Sequence, residues 1–248
     1  MTSERRHVRF LASVTSVREA GLAALAGADI IDCKDPAAGA LGALPVAIVG
    51  AVRAAVPRQI PVSATIGDLA SEPASVARAV IAMAASGVDF VKVGLFPGGE
   101  VAATLARLGT LPLEGCRLVG VLLADLEPDF AVLDAMRRAG FAGAMLDTAE
   151  KKGGSLLDHL PAATLSAFID EARGAGLFAG LAGALRLSHV PELLRLGPDV
   201  LGFRGALCRG ARRDSAIDAA ALQRIRAAIP RVEREGDEGE TSMRELAT

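Results

Sequence analysis

The feature that most constrains this chain is a rhythm. Eight short β-branched or apolar runs, each closed by Gly, Pro or Asp, alternate with eight longer Ala/Leu/Arg-rich stretches. The runs fall at 8–13, 29–33, 61–66, 90–95, 117–123, 143–146, 177–181 and 200–204, and their lengths suit strands. The stretches at 16–26, 45–55, 74–86, 101–108, 129–139, 161–175, 188–196 and 215–228 carry apolar residues at helical spacing. Five junctions repeat one device: a helix ends on Gly27, Gly87, Gly140, Gly176 or Gly197, and the chain turns at once into the next strand. Eight strands and eight helices in 248 residues predict an α/β fold, a single-domain (β/α)8 TIM barrel over 8–230. A doubly wound open sheet is the alternative. The charged ends, 1–7 and 231–248, are expected to be a flexible N-terminus and a disordered tail.

Charge and composition narrow the function. With 27 Lys+Arg against 29 Asp+Glu and neither Trp nor Tyr, the chain has no electrostatic footprint or stacking platform for nucleic acid. No apolar run approaches the roughly 20 residues that cross a bilayer, and no signal-peptide core follows Met1, so a cytoplasmic protein without a membrane partner is expected. Cys33, Cys116 and Cys208 are odd in number and far apart, so free thiols are expected, with no disulfide framework and no metal site. Asp125, Glu127 and Asp129 around Pro128 read as a loop with a helix cap. His7, His159 and His189 are scattered and suit surface or capping roles. Exposed apolar helix faces leave a homo-oligomer open.

The basic residues are 23 Arg and four Lys: Lys34, Lys92, Lys151 and Lys152. Lys34 closes the second expected strand, Lys92 lies in the fourth and Lys151 follows the sixth, at spacings of 58 and 59 residues. Alternate barrel strands feed side chains into one layer, so three amines could converge on one cavity. Arg cannot replace Lys in proton transfer or imine formation, because guanidinium stays protonated. Each lysine could instead pair with an adjacent acid: Asp32 or Asp35 beside Lys34, Asp89 near Lys92, Glu150 beside Lys151. Asp32 shares a strand face with Lys34 and could hold the ammonium, while Cys33 should face the helix layer. Asp147 ends the sixth strand and could serve the site or cap a turn. Gly183 after the seventh strand, and Arg204, Gly205 and Ala206 after the eighth, occupy the places where barrels often bind phosphate.

These segments resemble the (5-formylfuran-3-yl)methyl phosphate synthases of methanofuran-type cofactor biosynthesis. The resemblance runs over about residues 9–226. It rests on Ala-Asp-Ile-Ile-Asp-Cys-Lys-Asp-Pro at 28–36 with Gly-Ala-Leu-Gly at 39–42, Pro-Val-Ser-Ala-Thr-Ile-Gly-Asp at 61–68, Asp-Phe-Val-Lys-Val-Gly-Leu at 89–95, Met-Leu-Asp-Thr at 145–148 and Gly-Ala-Leu-Cys at 205–208. It implies a barrel lyase that joins two glyceraldehyde 3-phosphate units and eliminates water and phosphate to give a phosphorylated furan aldehyde. Lys34 falls on the family's imine-forming lysine and Lys92 on its proton-accepting lysine. Asp32, Asp147 and Lys151 match further active-site positions, although Glu150-Lys-Lys-Gly-Gly departs from the family loop and leaves Lys152 as an alternative. A small phosphorylated substrate is implied, and no metal or organic cofactor. Two other readings stay open: an imine-forming aldolase releasing an uncyclised product, and a carrier barrel in which one Lys holds pyridoxal phosphate without turnover.

Overall fold

The structure is a computed structural model that describes residues 7–150 and 153–230. Residues 1–6 of the expected N-terminal segment 1–7, the whole of 231–248, and both Lys151 and Lys152 lie outside the described residues.

Eight parallel strands close into a barrel: β1 (Arg9–Val14), β2 (Ile30–Cys33), β3 (Val62–Thr65), β4 (Phe90–Gly94), β5 (Arg117–Leu123), β6 (Gly143–Asp147), β7 (Phe178–Leu181) and β8 (Val200–Phe203). Each pairs with the next, and β8 returns to β1 through Arg9↔Val200 to Ala12↔Phe203, which excludes the open sheet. The helices are α1 (Val17–Leu25), α2 (Val46–Ala55), α3 (Pro73–Ala84), α4 (Val101–Leu108), α5 (Val132–Arg138), α6 (Leu156–His159), α7 (Ala162–Gly174), α8 (Val190–Leu196) and α9 (Ala219–Ala228). The five expected junction glycines all adopt positive φ, from 66° to 83°.

Three differences from the expected helices have local causes. The turn α6 was not anticipated, because four residues are too few to show a period; Ser155 and Asp158 cap it reciprocally. The stretch expected at 129–139 turns helical only at Val132, since Asp129 folds back to accept the Ala131 N–H. The last helix starts at Ala219 rather than 215, where the Asp218 carboxylate accepts from the N–H groups of Ala220 and Ala221.

Strand alternation divides the core in two. Outward residues such as Val14, Cys33, Val91 and Leu146 pack against the helices, while Leu11, Ile30, Phe90, Val119, Met145 and Val200 fill the barrel. Cys33 lies in the outer layer, as alternation requires, and burial pushes its thiol up to about 12.

The bottom of the barrel carries a repeated clamp. Asp29, Asp89 and Asp199 each precede an even-numbered strand. Each accepts the N–H of a residue at the start of the preceding strand, respectively Phe10, Val62 and Ala179. Each also pairs with an Arg from the helix packed before that preceding strand: Arg226 of α9 at 2.6 Å, Arg53 of α2 at 2.7 Å and Arg173 of α7 at 3.0 Å. Ala142 stands at the equivalent place before β6, so that strand has no clamp. No helix among the described residues is long and apolar enough to cross a membrane.

Candidate active site

The opposite end of the barrel, where the strands finish, holds the polar residues. Asp32 points inward from β2, flanked in register by Ser13 of β1 and Ser63 of β3. Its carboxylate accepts from Ser13 Oγ at 2.9 Å, Ser63 Oγ at 2.6 Å and Lys92 Nζ at 3.1 Å. Burial by itself would raise the Asp32 carboxyl, but the Lys92 and Lys34 charges and the Ser63 hydroxyl outweigh it and hold Asp32 below the ordinary carboxylate range. Asp32 therefore stays ionised inside an apolar barrel.

One layer further out, Lys34 donates to Asp147 Oδ2 at 2.9 Å, joining β2 to β6 across the mouth. Asp147 Oδ1 accepts the Thr148 N–H at 2.8 Å, so the carboxylate both holds the amine and shapes its own turn. Exposure rises from 0% at Asp32 and 3% at Lys92 to 5% at Asp147 and 8% at Lys34. Of these two lysines, both of which line the cavity, Lys34 is the more exposed. Neither lysine takes its sequence neighbour as partner: Asp89 is held by Arg53 at the other end of the barrel.

Lys34, Asp147 and Lys92 border a cavity of about 460 Å³, large enough for a small ligand, with Asp32 buried behind Lys92. Its far wall is formed by residues 182–187 after β7 and 202–206 from β8 onward. Gly183 has φ +107°, and an added Cβ would sit 2.9 Å from Thr148 Cγ2 and 3.1 Å from the Thr148 backbone N. Ala184 beside it is held at φ 45°, a conformation uncommon outside glycine. The N–H groups of Gly183, Ala184, Gly205 and Ala206 donate to no acceptor among the described residues. All four residues line the cavity, and backbone N–H groups without a protein acceptor are the kind of donor that anions use.

Arg204 lines the cavity but is engaged elsewhere. Nε donates to Arg213 O, Nη1 to Ser13 O and Glu19 Oε2, and Nη2 to Glu19 Oε1 and Ser215 O, which accounts for all five N–H groups of a guanidinium. Burial would raise Glu19, yet Arg204 and the N–H groups of Thr15 and Ile217 bring it below its usual value. The Arg204–Glu19 pair, at 2.6 Å, thus fastens the loop after β8 to α1.

Sequence reasoning missed Ser13, Ser63, Glu19, Asp68 and Arg213. A signal existed for the two serines: Ser13 is the one hydroxyl of β1 and Ser63 shares β3 only with Thr65, and both strands neighbour the one that carries Asp32. Asp68 holds the N–H groups of Ala40 and Leu41 at 2.7 and 2.6 Å, fixing the loop that follows Lys34. Asp125 accepts from the N–H groups of Ala149 and Glu150, both at 2.7 Å, and so anchors the start of the loop leading to Lys151. Lys151 itself lies outside the described residues.

A closed (β/α)8 barrel with two buried lysine–carboxylate pairs beneath an N–H-lined cavity at the carboxyl ends of its strands is a TIM-barrel enzyme. The 3-hexulose-6-phosphate synthase structure shares this fold, with a TM-score of 0.64 and 21% identity over 90% of this chain and all of that one. The family model for 4-HFC-P synthase matches residues 10–226, and the chain belongs to the (5-formylfuran-3-yl)methyl phosphate synthase family. The (5-formylfuran-3-yl)methyl phosphate synthase of Methanocaldococcus jannaschii is 37% identical over 83% of this chain and 92% of its own. A Methylorubrum extorquens protein provisionally given the same name is 45% identical over 86% and 87%.

Proposed function

We propose that the enzyme condenses two molecules of glyceraldehyde 3-phosphate through a Schiff base on Lys34, with loss of water and inorganic phosphate. The product is (5-formylfuran-3-yl)methyl phosphate, for methanofuran-type cofactor biosynthesis. The observation that carries this reading is the pairing of two separate lysine–carboxylate couples at one cavity, Lys34–Asp147 outermost and Lys92–Asp32 beneath it.

In this reading Lys34 passes a proton to Asp147 and its amine attacks the triose carbonyl carbon, giving a carbinolamine. Lys92, held as an ammonium by Asp32, donates a proton to the departing hydroxyl, and water leaves as the iminium forms. The same Lys92, now an amine, removes the proton from the carbon next to the iminium. That carbon then attacks the carbonyl of the second triose. Asp32 acts as a fixed negative charge rather than a proton store, in keeping with its depressed titration. The N–H groups of Gly183, Ala184, Gly205 and Ala206 receive a substrate phosphate, while Arg204, with every donor engaged, holds the loop that presents two of them.

Borohydride trapping with glyceraldehyde 3-phosphate, followed by peptide mass mapping, tests the nucleophile; the adduct is expected on Lys34. Furan-aldehyde absorbance and phosphate release test the overall reaction. An adduct at another lysine refutes the assignment, and an uncyclised product without phosphate release identifies an ordinary aldolase instead.

A further inference from the structure

Two phosphorylated trioses bring two phosphates into one cavity, and backbone N–H groups alone supply no full positive charge. Among the described residues six cations border the space: Lys34, Lys92, Arg186, Arg204, Arg213 and Arg224. The two lysines are held by Asp147 and Asp32, and Arg204 has no free N–H. Arg186 and Arg224 are exposed to solvent, where a guanidinium is well hydrated and weakly selective. Arg213 differs from all of these. It is half-buried, and among the described residues its side chain makes a single hydrogen bond, Nη2 to Gly39 O at 2.9 Å.

The charge on Arg213 is held by no ion pair among the described residues. Burial lowers its pKa despite the attraction of Asp147, Asp68 and Asp35, none of which approaches closely enough to form an ion pair with it. Its backbone is fixed, because Arg213 O accepts from Arg204 Nε at 3.0 Å and Arg204 is itself anchored to Glu19. Its neighbour Arg212 is exposed and turns toward Asp214 instead. A guanidinium held this way, with most of its fork open beside an N–H-lined wall, suits the planar two-point grip that phosphate oxygens accept.

We propose that Arg213 is the side chain that binds a substrate phosphate and makes the enzyme select phosphorylated trioses over free ones. This rests on the reading that the substrates are triose phosphates. It adds a residue that neither the even-strand spacing nor the glycine loops signalled. The contact to Gly39 O has a role as well: it ties the loop after β8 to the loop carrying Lys34, so the residue that recognises phosphate is mechanically joined to the one that forms the imine.

The test uses the full chain with Arg213→Gln and Arg213→Lys. The first measurement is calorimetric binding of inorganic phosphate. The second is the ratio of half-saturating concentrations for borohydride trapping with glyceraldehyde and with glyceraldehyde 3-phosphate. In R213Q the preference for the phosphorylated aldehyde is expected to fall by about 10- to 100-fold, as loss of a charge-assisted hydrogen bond implies, with phosphate binding weakened in parallel and R213K intermediate. Equal losses for both aldehydes would mean that Arg213 only braces the loop, and an unchanged ratio would mean that it does not touch phosphate; either overturns the proposal. If the wild-type enzyme forms no adduct at Lys34, the Schiff-base reading fails by itself. Calorimetry then still decides the Arg213 assignment, for or against.

Discussion

Replacing Lys92 by Met leaves the Asp32 carboxylate in the barrel without its closest cation. At 3.1 Å and an effective dielectric constant of about 20, the lost attraction is about 5 kcal/mol. Removing one partner of a buried pair generally costs about 3–5 kcal/mol. Asp32 keeps the Ser13 and Ser63 hydroxyls and the more distant charge of Lys34, so the lower end, about 3 kcal/mol, is expected at pH 7. Equilibrium urea unfolding followed by far-ultraviolet circular dichroism measures it. The pH dependence carries a sign. In the wild type, Asp32 titrates below its unfolded value, so its contribution is present above that value and disappears as pH falls through the folded one. In K92M burial is no longer outweighed and Asp32 titrates above its unfolded value, so the penalty is complete at neutral pH and shrinks as the pH is lowered toward about 4. The double variant D32N/K92M, which removes both charges, should recover most of the stability. A deficit below about 1 kcal/mol at pH 7, or a double variant as unstable as K92M, would refute the reasoning.

Two further changes probe the supports of the site. Glu19→Gln keeps the shape but loses the charge facing Arg204, and should cost about 1–2 kcal/mol at pH 7. Because Glu19 titrates below its usual value, that deficit should begin to shrink as pH falls below the ordinary glutamate value of about 4.3 and vanish only below the lower folded value, as read from thermal midpoints along a pH series. Gly183→Ala must place a methyl against Thr148 at φ +107°, and should destabilise by about 2–3 kcal/mol while weakening competitive inhibition by inorganic phosphate. Wild-type melting together with wild-type inhibition would remove Gly183 from the cradle.

Much of the barrel was readable because its units repeat. The five left-handed glycines and the alternation that sends Cys33 outward and Asp32 inward are local consequences of backbone geometry, visible within a few residues. The identity of each lysine's partner was not readable. Lys34 meets Asp147, 113 residues away, and Lys92 meets Asp32, 60 residues away, because barrel closure rather than chain proximity sets those distances. Arg204 illustrates the opposite hazard. Its position after β8 suggests phosphate, yet Glu19 and three carbonyls close off its donors, and nothing in residues 200–208 announces that. Arg213 had no periodic signal at all, since it sits in an irregular loop whose course depends on those same contacts.

The aspartate–arginine clamps at the bottom of the barrel bear on chain order. Asp89 and Asp199 fasten strands that are neighbours along the sequence, whereas Asp29, with Arg226 of the last helix, fastens the first strand to the segment that comes after the eighth. All three join the same kinds of partner, with one carboxylate oxygen taking both donors at Asp29 and Asp89 and the two oxygens sharing them at Asp199, so the seam where the ring joins itself is riveted like an internal joint. A circularly permuted chain, opened at a different loop and rejoined across that seam, would keep all three rivets. The barrel is in this sense a ring on which the choice of starting strand is arbitrary, and its order of synthesis leaves little mark on how it is held.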